Sequence, residues 1–401
     1  MARSKWFLET DLDLEAVILL IVGTMLAVAG LVLFLLAAGR VPYDERGLYG
    51  ALLFVFSLQI VLLGKTPFGD RRRSPSLLAL GVAVASVGIA TACIPGLFAS
   101  LPPFFLALSF GLGGLVLLGR MMTDRELFPA WMKAGGLLKR LALSCLTVHL
   151  LSILVGVVIA WPALADLPLK AAMALFFGLA VIRLALVLQK VYDLYPQGKA
   201  KNDGSLILSP DQTLLVMTAV FMFLIGLLLL PVSLGLLPFS ASAQLGLLMI
   251  IFSVQMVAFG STPVGPFRRS RALVLTGLLF ASLGVISCAV PGLLVPTLTV
   301  LVAALNIAGG LAGLARLGVS LFGREPSSSG PVPSVLKQLV ACQLVMNLLA
   351  LLFGTSMLLP GLIGGFLIGV ILAANGAVLL LLLKILIAVG RIREASDSLS
   401  A

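Results

Sequence analysis

Polar side chains set inside long apolar runs are the residues here that could do chemistry. Gln59 and Gln255 stand at equivalent places in two such runs, and a pair facing each other could form a hydrogen-bonded seam between helices. The ordinary role of such a glutamine is interhelical bonding, worth about 0.6 kcal/mol on average. Ser57 and Ser253, two residues earlier, suit bonding back to their own helices. His149 lies near the middle of another run, with Asn347 in the corresponding place later in the chain. A proton relay through His149 needs a second titratable neighbour, and no Asp or Glu lies deep in any apolar run, so the reading favours a structural histidine. Arg183 and Lys384 fall within two or three turns of run ends, where long side chains reach the headgroup layer, and anchoring is the simpler role. Asn306 and Asn375 complete the set.

Other chemistries have little to work with. Cys93, Cys145, Cys288 and Cys342 all lie in apolar runs, none at C-x-x-C spacing, which reads as buried thiols without a metal or redox role. One histidine is too few for most zinc or haem sites, so no metal and no cofactor is expected. There is no P-loop, dinucleotide fingerprint, G-x-S-x-G or H-E-x-x-H, and no paired carboxylates in the runs for general acid–base work. Enzyme is the class these residues support least.

The elements that carry these residues are membrane spans. Sixty per cent of residues are hydrophobic, 11% are charged, and mean hydropathy is +1.18. The apolar runs match the roughly 20 helical residues that a bilayer core of about 30 Å requires. The fold expected is therefore all-α: a polytopic bundle of about 12 spans, near 14–38, 47–64, 76–98, 102–120, 138–161, 169–191, 211–233, 243–260, 272–293, 297–318, 335–358 and 362–389. Glu9, Asp11, Asp13 and Glu15 suit the positive end of the first helix dipole, and no cleavage site follows that helix.

Lys and Arg concentrate in alternate loops: Lys65 and Arg71–Arg73; Arg120, Arg125, Lys133, Lys139 and Arg140; Lys190, Lys199 and Lys201; then Arg268, Arg269 and Arg271; Arg316, Arg324 and Lys337. Basic residues are retained in the cytoplasm, so both termini are placed there, in an inner membrane. The net charge of +11 then reflects topology, and nucleic acid is not an expected partner. The lipid bilayer is, with other membrane subunits or a second copy as further candidates and the small-molecule substrate left open.

The chain also matches itself. FSLQIVLLGKTPFGDRRRS from Phe56 falls on FSVQMVAFGSTPVGPFRRS from Phe252, an offset of 196 that pairs Gly64 with Gly260, Arg72 with Arg268 and Arg73 with Arg269. The register shifts to 198 for Lys139/Lys337, Gly156/Gly354 and Gly178/Gly376. This predicts two six-helix repeats, 1–192 and 211–401, joined by a polar linker over 193–210. An even number of spans gives both repeats one orientation. Ser209-Pro210-Asp211-Gln212 has the form of a capping box that starts the second repeat.

Each outer turn carries a proline, at Pro42, Pro95, Pro162, Pro238, Pro291 and Pro360, with glycines on the flanking helices. This hairpin pattern, as in GIATACIPGLFASLPPFFLALSFGLGG, resembles the HdeD-like family of small membrane proteins. That resemblance implies an accessory or stress-related membrane component without catalytic residues. The six-plus-six plan, with its basic glycine motif after span two, resembles the major facilitator superfamily. Gly64, Asp70, Arg72 and Arg73, echoed by Gly260, Arg268 and Arg269, resemble that family's loop motif, although Asp70 comes two positions late and Pro266 replaces it in the second copy. The resemblance implies that Asp70 and Arg72 cap helix ends and tune a cytoplasmic gate. It offers the alternative function, a secondary transporter for a small lipophilic substrate.

Overall fold

Twelve long helices, several with most of their surface uncovered by protein, are what a chain this apolar builds when lipid is its solvent. The computed structural model describes residues 11–98, 100–124, 127–196, 208–322, 334–359 and 361–400. The centre of the expected linker, and the loop residues Arg125, Lys199, Lys201 and Arg324, lie outside these. Among the described residues twelve helices are long and apolar enough to cross a membrane. In chain order the elements are α1 (Leu14–Ala37), α2 (Glu45–Leu63), β1 (Lys65–Thr66), β2 (Gly69–Asp70), α3 (Pro75–Cys93), α4 (Leu101–Ala107), a π-helical turn (Leu108–Leu112), α5 (Gly113–Thr123), α6 (Leu127–Ala134), α7 (Gly136–Ala160) and α8 (Leu167–Leu194). Then follow α9 (Pro210–Ser233), α10 (Ala241–Phe259), β3 (Ser261–Thr262), β4 (Gly265–Pro266), α11 (Arg271–Ala289), α12 (Val295–Phe322), α13 (Ser334–Leu358) and α14 (Gly365–Ser400).

The expected spans are all present, with shifted ends. The third and ninth stop at Cys93 and Ala289 rather than near 98 and 293. The cause is the proline two residues on: Ile94 and Val290, which precede Pro95 and Pro291, adopt extended backbone at φ −114° and −120°. The fourth span is α4, the π turn and α5 in succession, and α6 is a short helix between the fourth and fifth expected spans, too short to cross a membrane. Side chains such as Phe176 and Val319 are 62% and 75% exposed, as lipid-facing residues would be.

Local geometry recurs at the sequence offset. Gly64 and Gly260 end α2 and α10 in left-handed backbone at φ 70° and 66°, which costs glycine nothing. Each is followed by a two-residue hairpin in which Thr66 Oγ1 donates to Gly69 O at 2.7 Å and Thr262 Oγ1 to Gly265 O at 2.8 Å. Ser74 and Ser270 then cap α3 and α11 by accepting from the Leu77 and Leu273 amides. Gln212 accepts from Ser209 N at 3.1 Å at the start of α9, the reach-back half of the capping box.

The helices pack as two compact units. One holds α1–α8, α10 and α11; the other holds α9, the β3–β4 hairpin and α12–α14. The packing units thus cut the chain differently from the sequence halves. In the first unit α1 lies along α8, α2 along α3 and α10 along α11. Asp44 N donates to Ala289 O at 2.9 Å and Ser240 N to Cys93 O at 2.8 Å, a reciprocal pair of bonds between positions 196 apart. In the second unit α9 lies along α14, with Gly226 against Ala373 and Gly376 against Phe223.

Candidate functional site

A cavity of about 380 Å³ opens inside the first unit, walled by α1, α2, the first hairpin, the π turn and its flanks, α6, α7 and α8. Its polar lining consists of Gln59, His149, Ser109, Ser152, Thr66, Glu15, Lys65 and Asp70. Two site residues expected from sequence, Gln59 of α2 and His149 of α7, therefore line one cavity, although they are 90 positions apart in the chain. Glu15, which the dipole argument left at a helix start, pairs with Lys65 from the hairpin, and Tyr192 Oη of α8 donates to Glu15 Oε2 at 2.8 Å. Both charges are partly buried, at 21% and 35% side-chain exposure, so each is better satisfied with its partner than alone.

A second cavity of about 160 Å³ is built from the same helices and lined by Tyr43, Glu45, Tyr49 and Lys170 among apolar side chains. Tyr49 Oη donates to Glu45 across one helical turn. Burial, followed by the nearby Glu45 and Asp44 carboxylates, holds the Tyr43 phenol well above its ordinary pKa, so it stays a neutral donor. Leu52, Phe110 and Phe177 line both cavities. Phe110 and Phe177 meet edge to face, ring centroids 5.7 Å apart at 88°, and Phe177 is only 4% exposed. These rings form an apolar plug where the two cavities adjoin.

Phe110 sits on the π turn, a backbone form common at functional breaks in helices. The turn is held by its neighbours. Ser152 Oγ of α7 donates to Phe110 O at 2.9 Å, and Gly156 of α7 lies so close to Gly111 that a Cβ would collide with its backbone. Gly113 meets the Pro67 carbonyl of the hairpin, where a Cβ would come within 2.8 Å. At the 196-residue offset the second half has Asn306 for Phe110 and Ile307 for Gly111, on the continuous helix α12. Asn306 Nδ2 there bonds back to Val302 O at 2.8 Å.

The remaining expected residues are dispersed. Gln255 is half-buried on α10 and is not on the wall of either cavity. Asn347 lies on α13 beside Gly310 and Gly313 of α12, within the second unit. Arg183 is exposed on α8 and lines neither cavity. In the hairpin motif Asp70 pairs in register with Lys65, Arg72 is exposed, and Arg73 is buried with Nε donating to Val61 O at 3.3 Å. Arg269 donates to the Leu12 and Ala258 carbonyls and pairs with Asp11 at 2.8 Å, while Arg268 is exposed. Among the described residues no three His, Cys, Asp or Glu side chains converge to hold a metal ion.

Sequence reading missed Glu15, Lys65, Phe110 and Phe177. The signal for the last two was faint: aromatic residues stand at 110 and 177 where the other half has asparagine, Asn306 and Asn375. No family model, curated protein or solved structure matches the chain. The likenesses to HdeD-like and major facilitator proteins rest on sequence motifs alone.

Proposed function

We propose that this polytopic membrane protein is a secondary transporter of a small solute, and that its path runs inside the first six-span half. The observation that carries the reading is the pair of cavities abutting a Phe110–Phe177–Leu52 plug. A carrier needs a solute site that can open to either side and a barrier that parts between them. Here the polar groups stand beyond the plug on each side, and the π turn under Phe110 supplies a backbone that can relax toward α-helix. In the major facilitator plan the path lies between halves, so this proposal does not lean on that likeness. The accessory reading draws on the hairpin resemblance alone.

The rest of the proposal follows from the sequence. The protein is non-enzymatic, lies in an inner membrane with both termini cytoplasmic, and consists of two six-span repeats of one orientation. Matching hairpins, caps and glycine contacts at the 196-residue offset support the duplication. The cavity bearing Lys65 then faces the cytoplasm. The second half, with Asn306 and Asn375 at the plug positions, serves as scaffold.

Cysteine labelling tests the path on full-length protein in oriented vesicles. Cys145 lines the larger cavity, whereas Cys93, Cys288 and Cys342 are buried. A membrane-impermeant thiol reagent is expected to modify Cys145 from the Lys65 face only. In a Cys145→Ala background it should reach Val158→Cys, on the smaller cavity, from the Glu45 face only. A cavity that reacts from neither face would sink the reading.

A further inference from the structure

Each cavity has at least one carboxylate and one ammonium group in its lining. On one side Glu15 pairs with Lys65 and accepts from the Tyr192 hydroxyl. On the other, Glu45 accepts from the Tyr49 hydroxyl and Lys170 lines the same wall. A carboxylate, a tyrosine donor and an ammonium group thus occur on each side of the plug. Between them the walls are apolar, with Leu26, Val155, Phe110 and Phe177 around the smaller cavity and Leu19, Val22, Phe56 and Val148 around the larger.

We propose that the solute is a small zwitterion with an apolar body, of the class of amino acids with hydrophobic side chains. Its ammonium would bind at Glu15 or Glu45, and its carboxylate at Lys65 or Lys170. This inference rests on the transport reading. Charge compensation selects this class of solute. A zwitterion can enter between Glu15 and Lys65, replace each partner with one of its own charges, and leave neither of these partly buried charges alone. A solute with a single charge leaves one of the pair uncompensated and meets a like charge besides. Asp70, in register with Lys65 across the hairpin, adds a second carboxylate on that side, which disfavours a purely anionic solute. Gln59 and His149 in the same cavity lining supply neutral hydrogen-bonding groups, and a cavity of about 380 Å³ suits a ligand of this size. The same recognition chemistry on both sides is what a carrier must have to take up and release one solute.

The test uses radiolabelled leucine and liposomes that contain the full-length protein. Isoamylamine and 4-methylpentanoate keep leucine's carbon skeleton but only one of its charges. Leucine uptake is expected, and each analogue should compete at least about tenfold more weakly than unlabelled leucine. Glu15→Gln and Lys65→Met should each reduce uptake by about tenfold or more with the gel-filtration profile unchanged. A second measurement needs no variant: leucine, and neither analogue, should slow modification of Cys145. Equal competition by a singly charged analogue, or full uptake by both variants, would overturn the zwitterion. So would the absence of leucine uptake together with intact face-specific labelling of Cys145 and Val158→Cys, a result that leaves the path standing. Loss of that labelling as well would fell the transport reading itself.

Discussion

Replacing Phe110 with alanine is expected to let a reagent applied at the Lys65 face reach Val158→Cys on the far side of the plug. The labelling rate should rise about tenfold or more, the change that corresponds to lowering a barrier by about 1.4 kcal/mol. The reason is geometric. Phe110 and Phe177 fill the space where the two cavities adjoin, ring against ring at 5.7 Å, and apolar surfaces without hydrogen-bonding groups exclude water from a gap. Truncating one ring leaves a void that joins the cavities, and Phe177→Ala should act in the same direction. Asn306→Ala, at the corresponding position of the other half, should leave the rate unchanged, because Asn306 bonds to its own helix in the second unit. Unchanged labelling in both phenylalanine variants would remove the plug from the mechanism. The measurement uses no transported solute, so it stands apart from the identity of the substrate.

Gly178→Leu, at the one glycine of α8, is expected to destabilise the first unit strongly. A Cβ at this position would lie 2.6 Å from Gly23 O and 2.7 Å from Ala27 Cα on α1. Backbone atoms cannot rotate aside as a side chain would, so the α1–α8 pair must separate along its length. In lipid, helices associate through close packing of small residues rather than through the hydrophobic effect, and that packing is what the leucine destroys. Overpacking costs typically about 1–3 kcal/mol, and a contact made with backbone belongs at the upper end. Lower melting temperature and lower yield of monodisperse protein in detergent would report it. Gly119→Leu is the control, since nothing lies within 4 Å of a Cβ there. If the two variants melt alike, the close crossing of α1 and α8 is not what holds this unit together. Gly376→Leu repeats the experiment in the second unit, against the Ala219 carbonyl at 2.7 Å and the Phe223 amide at 2.6 Å.

The site was only half legible in advance. Gln59 and His149 could be singled out because a polar group in lipid is costly wherever it points. Their convergence on one cavity could not be read, because α2 and α7 are apolar on nearly every face. In water an amphipathic stripe would mark the inward side of a helix. In lipid the protein interior and the solvent are equally apolar, so hydropathy carries no such mark. The pairing of Glu15 with Lys65 was hidden for a related reason. Each fits its local role, at a helix start or in a basic loop, and only the fold brings residues 50 positions apart into one ion pair.

What the sequence by itself determined is the set of spans. A bilayer leaves a backbone no partner but itself, so span length and the proline-bounded turns follow from local composition, whereas the short α6, the π turn and the two-residue β-hairpins after α2 and α10 do not. The tertiary structure alone decided which faces meet. It placed Phe110 on a π turn against Phe177, set α10 and α11 beside helices of the other half, and formed two largely apolar cavities, each with a few polar groups, among α1, α2, the π turn, α5, α6, α7 and α8. Those choices turn on contacts of a few ångströms between glycines and backbone on helices far apart in the chain, and no single helix carries that information.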